Sequence, residues 1–185
     1  DAIILPGLVN VHTHLDYTLM RGLLEDMEFF PWIRELTARA AALTPEDWAA
    51  SAIWGAAEAV AGGVTTIGDC TFNGTAFMAA QELGLGGTIF VEVFGIDETR
   101  TVDVIVAELR DSVEQMCDLT PGPHLRAGIS PHAPYTVRPA LLRALADYAS
   151  DPRRPLCIHA AESQAEAQLL RPGPGPSADL VCAPP

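Results

Sequence analysis

The chain has 185 residues, 49% of them hydrophobic and 19% charged, which fits one folded domain with a substantial core and excludes a disordered polypeptide. A formal net charge of −13 excludes nucleic acid and anionic membrane surfaces as partners, because both require clustered Lys and Arg. No apolar run approaches the roughly 20 residues of a membrane span and no basic stretch leads into an apolar one at the start, so the expectation is a cytoplasmic protein acting on a small molecule.

The first strand is expected at residues 3–5, continuing through 9–14. Because the chain opens at Asp1 directly in this apolar run, residues upstream are expected to be missing. A helix at 29–42 follows, then the most clearly punctuated helix, Pro45–Ala61. There Thr44 is the N-cap, Pro45 takes the first helical position, Glu46 and Asp47 sit at the positive end of the dipole, and Gly62-Gly63 ends the helix. Further strands are expected at 64–69, 88–94, 125–130 and 156–159, and further helices at 75–83, 102–116, 139–149 and 163–170. Each strand is short and apolar on both sides, as strands covered on both faces should be. Strand alternating with helix predicts a parallel sheet with right-handed crossovers. Residues 171–185, with five prolines and two glycines, break the pattern and are read as a flexible tail behind a 1–170 domain. Five strands that do not close leave two open edges, so the fold is expected to be unfinished.

Five residues carry chemistry. In Pro6-Gly7-Leu8-Val9-Asn10-Val11-His12-Thr13-His14 the two histidines are two apart at the end of a strand, so they face the same side and suit a divalent transition metal. His159, in Leu156-Cys157-Ile158-His159-Ala160-Ala161-Glu162, ends the fifth strand and reaches the same rim. Glu162, three residues on, reads either as a proton carrier or as a carboxylate in the first turn of the next helix. His132, between prolines in Ser130-Pro131-His132-Ala133-Pro134-Tyr135, ends the fourth strand and reads as a substrate contact or a structural histidine. His124 lies at the opposite end and reads as a surface residue. Cys70, Cys117, Cys157 and Cys182 form no C-x-x-C pair and read as reduced, mostly buried thiols, Cys157 packing one layer below His159. A phosphate cradle is excluded because Gly84-Leu85-Gly86-Gly87 precedes a strand rather than following one, and no G-x-S-x-G elbow occurs.

These motifs, in this order, together with Gly62-Gly63-Val64-Thr65-Thr66, resemble the amidohydrolase superfamily over residues 2–170. The most similar branch holds adenosine-type, S-adenosylhomocysteine, aminofutalosine, guanine and cytosine deaminases and triazine chlorohydrolases. The resemblance implies an α/β fold, a partial (β/α)8 barrel of the TIM type comprising strands one to five. It implies one divalent metal, zinc before iron, on His12, His14 and His159, with Glu162 moving protons. It also implies substrate contacts from His132 and from Trp32, which matches a pocket aromatic of some members. The histidine of strand six, the aspartate of strand eight and the flanking β-sandwich of the family have no counterpart here. Nor does the ribose-binding glutamate, whose stretch reads Arg39-Ala40-Ala41-Ala42. The expected activity is hydrolytic deamination of an amino-heterocycle by the full-length parent, with an inactive isolated chain. Rival readings are hydrolysis of C–Cl or a cyclic amide on the same scaffold, or a noncatalytic truncated chain.

Overall fold

The structure, a computed structural model, describes residues 2–119 and 124–171. Four strands, β1 (Leu8–Thr13), β2 (Val64–Thr71), β3 (Gly86–Val93) and β4 (Leu125–Pro131), form one parallel sheet in the order β1-β2-β3-β4. Six helices separate or follow them: α1 (Phe29–Ala40), α2 (Pro45–Ala61), α3 (Thr75–Glu82), α4 (Val102–Asp118), α5 (Pro139–Tyr148) and α6 (Gln164–Leu169). Sequential parallel pairing with a helix in each crossover is the arrangement of a partial (β/α)8 barrel.

Helix α2 begins where its cap chemistry requires. Thr44 Oγ1 accepts from the Asp47 N–H at 3.2 Å, and the Asp47 carboxylate accepts from the Thr44 N–H at 2.9 Å. This reciprocal box satisfies two donors that the helix itself leaves open. The core lies between the sheet and its helices. Ile67 of β2, Ile89, Val91 and Val93 of β3, and Ile129 of β4 pack against Ala52 and Ala56 of α2, Phe77 of α3, Leu109 of α4 and Leu141 of α5. Strand side chains alternate, so the intervening residues of β3, Phe90 and Glu92, point to the concave face.

Two expectations need correction. Strand β1 begins at Leu8, residues 2–7 forming no strand, and it is not covered on both faces, since Leu8, Val9 and Val11 are all exposed. Among the described residues it pairs only with β2. A 3-10 turn at Leu15–Met20 follows it and docks on α2, where Ser51 Oγ accepts from the Leu19 N–H at 2.8 Å. Gly55 permits this approach, because a Cβ there would overlap Thr18 Oγ1 and come within 3.0 Å of the Leu15 carbonyl.

The fifth strand shrinks to a single parallel bridge, Ile129 with Leu156. Ile129 donates to the Pro155 carbonyl at 2.9 Å, and Cys157 donates back to the Ile129 carbonyl at 3.0 Å. The next donor on β4 would be residue 131, a proline without an N–H, and the ladder stops there. The segment still runs beside β4, and the His159 N–H reaches the His132 carbonyl at 2.9 Å. The tail from 172 onward, and Cys182 with it, lies outside the described residues. Among the described residues no helix is long and apolar enough to cross a membrane.

Candidate active site

The C-terminal ends of β1, β4 and the 156–159 segment converge on one rim. The rings of His12 and His14 lie 5.0 Å apart, those of His12 and His159 4.9 Å, and those of His14 and His159 5.3 Å. One nitrogen from each falls within 4.8 Å of the others. His14 Nδ1 is buried and has no hydrogen-bond partner, which is costly for a polar atom unless a ligand meets it. Three convergent imidazoles, one with an orphaned nitrogen, fit a borderline-soft divalent cation.

The backbone just past His14 is pinned from below. Asp69 of β2, fully buried, accepts from the Leu15 N–H at 2.8 Å through Oδ2, and Asp16 accepts from the Thr71 hydroxyl at 2.9 Å. Burial pushes the Asp16 carboxyl up to about 7 and the Asp69 carboxyl well above its ordinary range, with the charge of Glu92 adding to both and that of Asp16 adding to Asp69.

His132 joins the same cluster. Its ring lies 5.2 Å from that of His159 and 4.5 Å from Phe94, and its Nδ1 sits 2.8 Å from Thr136 Oγ1. Burial lowers its pKa to about 4, so it is neutral at physiological pH. Burial is likewise the main reason that His12 and His14 are held below 6.5. His159 goes the other way, chiefly through its hydrogen bond to Glu92.

Glu162 does not lie in the first turn of α6. It precedes the N-cap, Ser163, and its Oε1 is 3.7 Å from His159 Nδ1 while Oε2 accepts from the Tyr135 hydroxyl at 3.1 Å. The chain turns here through Ala161, whose φ of +60° is left-handed and unfavourable for a residue with a Cβ. The buried Glu166 carboxylate holds that turn, accepting from the Ala161 N–H at 3.1 Å and the Glu162 N–H at 2.7 Å. Trp32, on α1, stands further out. It stacks on Phe29 at 6.4 Å, and Phe29 in turn meets Tyr135 at 6.3 Å. His124 is exposed at the opposite end of the sheet, as expected.

Sequence reasoning overlooked Glu92. Its carboxylate, with the side chain only 4% exposed, lies 3.0 Å from His159 Nε2. Burial alone would raise its pKa, but the His159 hydrogen bond and the charges of His132, His14 and His159 outweigh that and hold it low. The clue was available: a lone acid in Thr88-Ile89-Phe90-Val91-Glu92-Val93-Phe94, which no packed strand retains without a partner. Glu166 also had a signal, the S-x-x-E spacing from Ser163 that marks a capping box.

Comparison with known proteins places this geometry. The Amidohydrolase family model matches residues 3–174. The 5-methylthioadenosine/S-adenosylhomocysteine deaminase of Syntrophobacter fumaroxidans is 34% identical over 96% of this chain and 41% of its own length. The aminodeoxyfutalosine deaminase of Deinococcus radiodurans is 35% identical over 95% of this chain and 40% of its own. Among solved structures, an adenosine deaminase from Xanthomonas campestris with bound zinc superposes with a TM-score of 0.73 at 25% identity, over 86% of this chain and 37% of that one. The aminofutalosine deaminase of Helicobacter pylori in complex with methylthio-coformycin shares the fold at 20% identity, with a TM-score of 0.74 over 88% of this chain and 39% of that one. The chain therefore spans about 40% of the length of the curated relatives it matches. A family model reaching over nearly all of its length establishes that this chain belongs to the amidohydrolase family.

Proposed function

We propose that the protein hydrolyses the exocyclic C–N bond of an amino-heterocycle, most nearly an adenine-type ring, and that His12, His14, His159, Glu162, His132 and Trp32 serve that reaction. The observation that carries the reading is the meeting of three imidazoles at one rim with the Glu162 carboxylate 3.7 Å from one of them. The deaminase names of the relatives support the substrate class, and the zinc of the Xanthomonas campestris enzyme supports zinc as the metal.

His12, His14 and His159 would hold the cation, which when bound supplies a Lewis acid that brings the pKa of water down to about 7. Glu162 is placed to carry two protons in turn, the first from the attacking water to the ring nitrogen and the second from the hydroxyl so added to the amino group, which departs as ammonia. Water adds to the amino-bearing carbon, the C–N bond breaks, and the proton count closes on Glu162. The Tyr135 hydroxyl steadies one oxygen of this carboxylate and leaves the other to face the rim. His132, neutral through burial, offers the substrate a hydrogen bond rather than a charge. Trp32, with Phe29 and Tyr135, provides an aromatic wall for a flat ring.

Because the matched relatives are about 2.5 times longer, the activity is assigned to a complete barrel carrying these residues. In such a protein, Glu162→Gln should retain its metal and lose about 10²–10⁴-fold in ammonia release, the usual worth of a proton carrier. Full turnover by metal-loaded Glu162→Gln would remove this residue from the mechanism. A panel of 5-methylthioadenosine, adenosine, cytosine and a chlorotriazine distinguishes deamination from dechlorination on the same scaffold. The 185-residue chain alone should bind zinc weakly and release no ammonia. Sustained metal-dependent turnover by that chain would contradict the assignment to a complete barrel.

A further inference from the structure

Phe94 follows the last residue of β3, and strand alternation sets it on the concave face, two residues beyond Glu92. Its side chain is 42% exposed, although the backbone on both sides of it is fixed. The His132 N–H donates to the Val93 carbonyl at 3.1 Å and the Gly95 N–H to the Thr136 carbonyl at 2.8 Å, which staples the loops after β3 and β4 around the ring. Gly95 permits that approach, since a Cβ there would meet Leu141 Cδ2 at 2.8 Å and the Arg138 nitrogen at 3.3 Å. The Phe94 ring lies over that of His132, with centroids 4.5 Å and planes 30° apart. Thr136 Oγ1 holds His132 Nδ1 at 2.8 Å, and Tyr135 meets the imidazole edge-on at 6.0 Å. Among the described residues Phe94 makes no other ring contact, so it stands one ring layer further than His132 from the three convergent imidazoles. Resting on the deaminase reading of this rim, we propose that Phe94 is the specificity-determining contact for the substituent carried by the heterocycle, and that it selects an apolar, uncharged one.

The reacting carbon belongs at the three imidazoles with His132 beside it, so a substituent on the far side of the heterocycle runs outward along His132 to Phe94. A ring already held in one orientation meets an apolar group with little side-chain entropy left to lose. Ile96, also 42% exposed, extends the apolar surface in the same loop. A negatively charged substituent finds no partner there. Arg138 is occupied by the backbone carbonyls of Asp97, at 3.1 Å, and of Arg100, while Arg100 itself is paired with Glu108. The Glu92 and Glu162 carboxylates on the His159 side of the rim repel a phosphate.

Calorimetry on the complete, metal-loaded barrel tests this in a Glu162→Gln background, where turnover does not consume the ligand. Three ligands share one ring and one ribose and differ at the far end: 5-methylthioadenosine carries a thioether, adenosine a hydroxyl and adenosine 5'-monophosphate a phosphate. The thioether should bind tightest and the phosphate weakest. Phe94→Ala should cut the preference for 5-methylthioadenosine over adenosine about tenfold, the lower end of what one apolar contact discriminates. Phe94→Arg should raise the affinity for the phosphate relative to the thioether about tenfold, because it supplies the charged donor that the rim lacks. Damage to the fold would weaken every ligand alike and leave both ratios where they were. Ratios that neither variant moves, a phosphate ligand held as tightly as the thioether before Phe94 is changed, or no binding of any of the three would overturn the role of Phe94. Ammonia release enters none of these readings. A barrel with Glu162 intact that releases no ammonia while the Phe94-dependent ratios hold removes the proposed reaction alone, and full turnover beside flat ratios removes the Phe94 contact alone.

Discussion

At the residue scale, the site depends on two carboxylates whose task is to hold other groups. Glu92 raises the pKa of His159 through a 3.0 Å contact, and that hydrogen bond is the largest influence on the ring. Glu92→Gln removes the negative charge, so the His159 titration midpoint should fall, read from the imidazole proton shifts over a pH series. A midpoint that stays in place would mean the ring is held by something else. Glu166 uses both oxygens to accept backbone N–H groups on either side of the left-handed Ala161. In Glu166→Gln one oxygen becomes an NH2 facing a donor, leaving a buried N–H unpaired. The expected cost is about 1–3 kcal/mol in urea unfolding. Glu162 should become more mobile as well, and relaxation of its backbone amide is the direct readout.

At the element scale, α2 offers two substitutions that separate stability from the site. Thr44→Ala removes the cap and should cost about 1 kcal/mol while leaving zinc binding unchanged, since Thr44 is exposed and its cap bonds stay within the first turn of α2. Gly55→Ala in a free helix stabilises by about 0.5–1 kcal/mol, but here the methyl meets Thr18 and the Leu15 carbonyl. The sign should reverse, to a loss of about 1–3 kcal/mol. Displacing the turn that follows His14 should also weaken zinc affinity in calorimetry, and a stabilised Gly55→Ala with intact binding would show that the turn does not position His14. The helices were legible in the sequence because caps and glycines are local signals, as Thr44, Pro45 and Gly62 illustrate. The histidine pair was legible because period-two alternation places His12 and His14 together whatever the partner strand does. What could not be read depends on neighbours far along the chain. Pro131 ends a ladder with a segment some 25 residues later, Val9 and Val11 are exposed because nothing described here covers them, and Glu92 meets His159 only across the sheet.

At the scale of the whole molecule, the buried ionisable groups set how stability responds to pH, and they oppose one another. Asp16 titrates at about 7 when folded against 3.8 in its ordinary state. Between those values the folded chain keeps a proton that the unfolded chain has released, so Asp16 favours folding in acid and that contribution fades as pH rises toward 7. His132 titrates at about 4 when folded against 6.5, and its sign is the reverse. Below 6.5 the unfolded imidazole takes up a proton that the buried ring refuses, so stability falls as the pH drops toward 4. Each group works at up to about 1.4 kcal/mol per pH unit, and their windows largely coincide. The intact pair should therefore show a shallow profile, with the individual slopes hidden. Asp16→Asn, which can still accept from Thr71, leaves Asp69 as the one raised acid beside the turn, so its profile should tilt toward the histidine slope and lose more stability than the parent does on acidification from 6.5 to 4. His132→Asn should expose the carboxylate slope and gain stability over much the same interval. Urea midpoints at several pH values would decide the matter, and parallel profiles for the two variants would mean that neither group is as buried at the rim as its place beside β2 and β4 requires.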